Sequence, residues 1–116
     1  MSRHESTLRL QHMLDQSPEA VEMLSGKSRE DLDRDRQLNL ALVRLLEIVG
    51  EAANRVPPED RERYRNIPWY EIIGLRNRLI HGYDSVDFDV LWQIIHEDLP
   101  VLIAELGDMV SGVKEQ

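Results

Sequence analysis

Apolar residues along this chain recur three and four positions apart, and runs that alternate every second position are nearly absent. That periodicity predicts an all-α fold. A first helical region spans about Glu5 to Leu24, with Leu8, His12, Leu14, Ala20, Val21 and Leu24 on its apolar side. Ser17-Pro18 is expected to interrupt it, because proline suits a first helical turn and not an interior one. Gly26 supplies a stop. Ser28 to Asp31 resembles a capping box, with aspartate in the place of glutamate, and opens a long helix that reaches about Asn54. Its run from Leu38 to Val49 is apolar on most faces, which marks a central helix buried on several sides. Arg44 and Glu47 interrupt that run three residues apart and can pair.

Pro57-Pro58 ends the central helix, and a short connecting helix follows from Pro58 to about Arg65. A further helix is expected from about Pro68 to His81, stopped by Gly82. Asp87 caps a last helix that runs to about Val113 and is kinked at Pro100. The whole reads as one domain over residues 1–116, an antiparallel bundle of four to five helices plus the short connector.

Composition narrows what such a bundle can do. The chain has 116 residues and no cysteine, so thiolate catalysis and disulfides are excluded. No stretch approaches the roughly 20 apolar residues of a membrane span. The segment from Met1 to Ser6 lacks the apolar centre of a signal peptide, so the expectation is a soluble cytoplasmic protein with no membrane partner. The net charge of -8 argues against a broad basic face for nucleic acid, but leaves room for a local arginine cluster or a basic protein partner.

Candidate chemistry concentrates in Arg76-Asn77-Arg78-Leu79-Ile80-His81-Gly82-Tyr83. On a wheel of about 100° per residue, Trp69, Ile72, Ile73, Leu75, Leu79 and Ile80 form one apolar arc. Tyr70, Gly74, Asn77, Arg78 and His81 lie opposite. Asn77 and His81 are neighbours at a spacing of four, and Gly74 makes either a shallow polar site or a close backbone approach. Arg76 projects from within the apolar arc. It must pair with Glu47 or Glu51 on the central helix, or face a cleft or subunit interface. Tyr83 follows on the exit loop.

Arginine, histidine and a polar neighbour without acids or thiols around them suit phosphoryl chemistry on RNA, which carries its own 2′-hydroxyl nucleophile. Histidine can take or give the proton near neutral pH, and arginine can hold the phosphate through two hydrogen bonds. No metal or other cofactor is needed. The products would be a 2′,3′-cyclic phosphate, or its hydrolysis product, and a 5′-hydroxyl. One histidine leaves a second acid or base to be supplied, which two copies across a two-fold axis would provide.

The same residues also fit a solvated helix face with a structural ion pair. His12 and His96 read as surface or boundary residues, and His96-Glu97 lacks the spacing of a helical zinc site. Asp33 to Arg36 reads as solvated mixed charge. Tyr64, Trp69 and Tyr70 read as bundle packing in preference to a stacking platform for bases.

Arg76-x4-His81-x-Tyr83 resembles the signature of HepT-like toxins of the HEPN superfamily. Leu46 to Ala53 resembles the "leiiGEAa" segment of that family, and Ile67 to Asn77 resembles its "iPW-x-eIigmRN" segment. Val90-Leu91-Trp92 and Glu97 to Pro100 resemble its closing helix, so the likeness spans about residues 28 to 106. The resemblance implies a HEPN bundle, a homodimer whose motifs share a cleft, and metal-independent ribonuclease activity in a type II/VII-like toxin–antitoxin module. Arg76 and His81 would be catalytic, with Asn77 and Arg78 in support. The partner would be an MNT-type nucleotidyltransferase antitoxin that silences the toxin by AMPylation of Tyr83. The alternative is a non-catalytic helical dimer that binds and regulates that nucleotidyltransferase.

Overall fold

The apolar run from Leu38 to Val49 becomes α3 (Arg36–Asn54), which has Leu38, Leu42, Val43, Leu45, Leu46 and Val49 all buried. A computed structural model describes residues 3–80 and 85–115. In chain order the remaining elements are α1 (Arg3–Leu24), α2 (Arg29–Arg34), α4 (Pro58–Arg63), α5 (Trp69–Ile73), α6 (Leu75–Leu79), α7 (Phe88–Gln93), a π turn (Ile94–Asp98) and α8 (Leu99–Glu115). α1 packs against α3 and α8, and α3 packs against α5 and α6. The fold is the all-helical bundle that the periodicity predicts, with α3 at its centre.

Four of the expected helices differ in outline, three of them away from the motif. α1 runs unbroken through Ser17-Pro18. Pro18 removes one hydrogen bond and crowds the preceding turn, a cost of about 3 kcal/mol. It is exposed, whereas Ser17 and Ala20 beside it are fully buried. Packing on α3 and α8 therefore outweighs the local preference. Among the described side chains of α1, Leu8 and His12 are exposed, and the first fully buried one is Ser17.

The helix expected from Ser28 to Asn54 is split at Asp35, whose extended backbone ends α2. The Asp35 side chain accepts the N–H of Leu38 at 3.1 Å, so it caps α3 while the surrounding charges stay exposed. Buried Asn39 then donates its side-chain N–H to the carbonyl of Leu32 at 2.8 Å and ties the two helices together. At the start of α2 the capping box forms as expected. The backbone N–H of Ser28 donates to Asp31 at 2.7 Å and holds that carboxyl below its ordinary pKa. Its contribution is therefore present above the usual carboxylate range and lost as pH falls through the lowered value.

The last helix also departs from a plain kink at Pro100. The N–H of Leu99 bonds five residues back, to the carbonyl of Ile94. Widening the turn by one residue relieves the crowding that the proline ring imposes on the turn before it.

α3 and α5 come into backbone contact at Gly50. A Cβ placed there would lie 3.1 Å from the carbonyl oxygen of Ile72. That neighbour is backbone in a packed helix and cannot swing away. Gly50→Val is expected to destabilise the protein by about 1–3 kcal/mol, read as a lowered urea midpoint with an unchanged slope. An unchanged midpoint would show that the two helices can separate at no cost.

Candidate active site

The motif begins on α6, and α6 is short. Its last residue, Leu79, is followed by Ile80 in extended backbone. Ile80 makes an isolated antiparallel bridge with Val86, and the N–H of Asp87 donates to the carbonyl of Leu79 at 2.8 Å. The two ends of the segment that carries His81 and Tyr83 are thus pinned together at its base. Asp87 also accepts the N–H groups of Asp89 and Val90, both at 3.1 Å, and so caps α7. The chain goes directly from motif to helix.

This geometry corrects the helical wheel. The segment expected as one helix to His81 is divided at Gly74 (φ -83°, ψ 4°) and stops at Leu79. The helical spacing expected to make Asn77 and His81 neighbours therefore ends at Leu79. His81, Gly82 and Tyr83 lie outside the described residues. The apolar arc itself holds, because Trp69, Ile72, Leu75 and Leu79 are buried. Trp69 is a packing residue, with its indole N–H shared between the carbonyls of Arg61 and Tyr64. Tyr70 is 89% exposed.

Arg76 is not buried in the arc; its side chain is 67% exposed. It leaves past α3 through a groove of about 130 Å³ lined by Glu47, Gly50, Glu51, Asn54 and Ile73. Of its two expected partners it takes Glu47, at 4.0 Å. Glu51 pairs with Arg44 at 3.6 Å, and Arg44 also reaches Glu47 at 3.8 Å. The resulting network of two arginines and two glutamates holds Arg76 loosely, since each contact is long and solvated.

Arg78 faces the other way. Both terminal nitrogens reach Asp98 in the π turn at 3.4 Å. That pairing had no signal in the sequence, because the π turn decides where Asp98 points. Asn77 is exposed between the two arginines. The described part of the motif therefore presents Arg76 and Asn77 to solvent and gives Arg78 a carboxylate to hold.

Two further features bear on the motif. Arg29 on α2 contacts Asp89 at 2.7 Å and Asp33 at 3.1 Å, strapping α2 to the start of α7. Desolvation works against the Arg29 charge, but its hydrogen bonds to Asp89 and Asp33 outweigh that and raise its pKa. His96 is exposed, stacks on Trp92 with ring centroids 3.9 Å apart, and sets Nδ1 3.1 Å from the Trp92 carbonyl oxygen. It lies on the surface of the π turn, stacked against α7, in keeping with the surface position expected of it. Among the described residues no helix is long and apolar enough to cross a membrane.

The chain matches the family described as Ribonuclease HepT-like over residues 13–109. It is 37% identical over 105 residues to a protein of Caldanaerobacter subterraneus subsp. tengcongensis named as a candidate RNase, covering 90% of this chain and 94% of that protein. A protein of Methanocaldococcus jannaschii, also named as a candidate RNase, is 33% identical over 91% of this chain and 97% of its own length. A protein of Thermococcus cleftensis named as a probable ribonuclease HepT is 38% identical over 77% of this chain and 84% of its own. No solved structure gives a significant match. Motif, bundle and relatives agree: the chain belongs to the HepT-like ribonuclease family.

Proposed function

We propose that the chain is a metal-independent endoribonuclease, the toxin of a toxin–antitoxin module. The observation that carries this reading is the state of Arg76. It is an exposed guanidinium on α6, tethered by one long contact to Glu47, just before a segment pinned at its base that bears His81. A loosely held arginine can exchange a solvated carboxylate for a phosphate at little cost. In the proposed reaction a base takes the proton of the RNA 2′-hydroxyl. The 2′-oxygen attacks phosphorus, and the 5′-oxygen leaves with a proton from an acid. The products are a 2′,3′-cyclic phosphate and a 5′-hydroxyl. His81 fills one proton-transfer role, Arg76 offsets the charge of the transition state, and Asn77 and Arg78 support them. A homodimer supplies the second proton-transfer group from the other copy.

Silencing follows from the same chemistry. An MNT-type nucleotidyltransferase is the proposed antitoxin. The Tyr83 oxygen would attack the α-phosphorus of ATP, losing its proton and expelling pyrophosphate. The attached AMP would then repel RNA phosphate beside Arg76. The net charge of -8 favours a second reading, a helical dimer that binds and regulates the nucleotidyltransferase without cutting RNA.

Expression of the chain alone in cells separates these readings. Wild type is expected to arrest growth and folded His81→Ala to be harmless. Purified wild type should cut RNA in the presence of a chelator. Equal harmlessness together with intact RNA overturns the ribonuclease reading. Incubation with the nucleotidyltransferase and ATP should add the mass of AMP to wild type, and uptake of the same mass by Tyr83→Phe overturns the assignment of that residue.

A further inference from the structure

A second concavity, separate from the groove that holds Arg76 and Glu47, borders the base of the motif segment. It measures about 420 Å³ and lies between α3 and the strand-like residues at the base of the motif segment. Ile80, Val86, Val43 and Phe88 form apolar walls, Arg36 stands exposed at the rim, and buried Asn39 contributes the main polar side chain. We propose that this pocket binds a nucleobase of the RNA, with adenine preferred. The proposal rests on the ribonuclease reading for its substrate and adds where that substrate is read.

Three observations support it. The first is position. Ile80 and Val86 form the bridge at the base of the segment that bears His81, so a base seated against them lies beside the motif. The second is shape and lining. The volume falls within the range of small-ligand sites, and Phe88, half-buried with apolar neighbours, offers a ring on which a base can stack.

The third is Asn39, which is only 3% exposed. Its Nδ2 donates to the Leu32 carbonyl at 2.8 Å, and this fixes both the orientation of the amide and which atom is oxygen. Among the described residues, nothing donates to its Oδ1. A buried acceptor without a donor is costly. An adenine amino group would supply that donor, and the second Nδ2 hydrogen suits adenine N7, the paired contact by which asparagine selects adenine. Cytosine offers a similar pair through its N4 amino group and N3, but its smaller ring stacks less on Phe88, and uracil presents no amino group at all. Arg36 at the rim provides positive charge for the adjoining phosphate in an otherwise acidic chain.

The test is a titration of the purified, isotope-labelled protein with AMP, CMP, GMP and UMP, read by the backbone amide shifts of Leu40, Val43, Val86 and Phe88. AMP is expected to move these signals and to bind at least about fivefold more tightly than UMP. Leu40 is 51% exposed at the mouth of the pocket, so Leu40→Glu can obstruct it without touching the core. That variant should keep the wild-type melting curve and lose the difference between AMP and UMP. Wild-type cleavage should favour sites beside adenine, and Leu40→Glu should cut without that preference. AMP that moves none of the four signals, or binds no better than UMP, overturns the pocket. RNA cut with no base preference overturns it too, and leaves the ribonuclease reading intact. Selective AMP binding with RNA uncut leaves the pocket standing and overturns the ribonuclease reading instead.

Discussion

Replacing Arg76 with alanine is expected to lower RNA cleavage by about two to three orders of magnitude and to leave the fold unchanged. The two halves of that expectation have separate grounds. Loss of one pre-positioned donor to a transition-state oxyanion typically costs a factor of 10²–10³, about 2.7–4 kcal/mol. The stability cost is small, because Arg76 is 67% exposed and its contact with Glu47 is 4.0 Å long. Solvated pairs of that kind contribute about 0–1 kcal/mol. Comparing kcat/KM for a defined RNA with the urea midpoint of the same preparation checks both at once. Arg78→Ala is the contrast. It removes the 3.4 Å contacts to Asp98 and leaves Arg76 in place, so its loss of activity should be much smaller. Equal losses for the two variants would show that Arg76 has no special role in the chemistry.

Leu79→Ala is expected to have the largest effect on stability, about 2–5 kcal/mol. Leu79 is fully buried and is the last residue of α6. Truncation removes transfer free energy and leaves a cavity that packed neighbours can only partly fill. Since domains of this size are stable by about 5–15 kcal/mol, the loss is a large share of the whole. The Leu79 carbonyl also accepts the Asp87 N–H that helps close the motif segment. Relaxation around the cavity should therefore reduce cleavage even at temperatures where the variant stays folded. Leu40→Ala, at a half-exposed site, should change the urea midpoint little by comparison. Equal midpoints for Leu79→Ala and wild type would show that the base of the motif is not held by the core.

Particular residues show how far one-dimensional pattern reaches. The run from Leu38 to Val49 identifies the central helix because a stretch apolar on most faces has to be covered by other elements. Ser28, Gly26 and Asp87 mark helix ends, since each acts through backbone groups within three residues of itself. The weak points are equally local. Pro18 signals a break, but the signal cannot include the packing on α3 and α8 that keeps α1 whole. Asp35 is a good cap in the middle of a helical pattern, and only the link from Asn39 to Leu32 makes the split worthwhile. Gly50 interrupts a strong helix, which itself points to a close approach, but the partner carbonyl of Ile72 is more than 20 residues away.

By itself, then, the sequence determined the all-helical class, the central helix, the caps and the position of Arg76, Asn77, Arg78, His81 and Tyr83 along the chain. Periodicity and capping are short-range properties, and a specific motif carries its own family resemblance. Tertiary structure alone decided that α6 ends before His81, that Arg76 rests on Glu47 while Arg78 takes Asp98, and that Asn39 stands beside the motif in a pocket. Those outcomes depend on contacts between helices distant in sequence, and a rotation of one short helix changes which carboxylate a long side chain can reach.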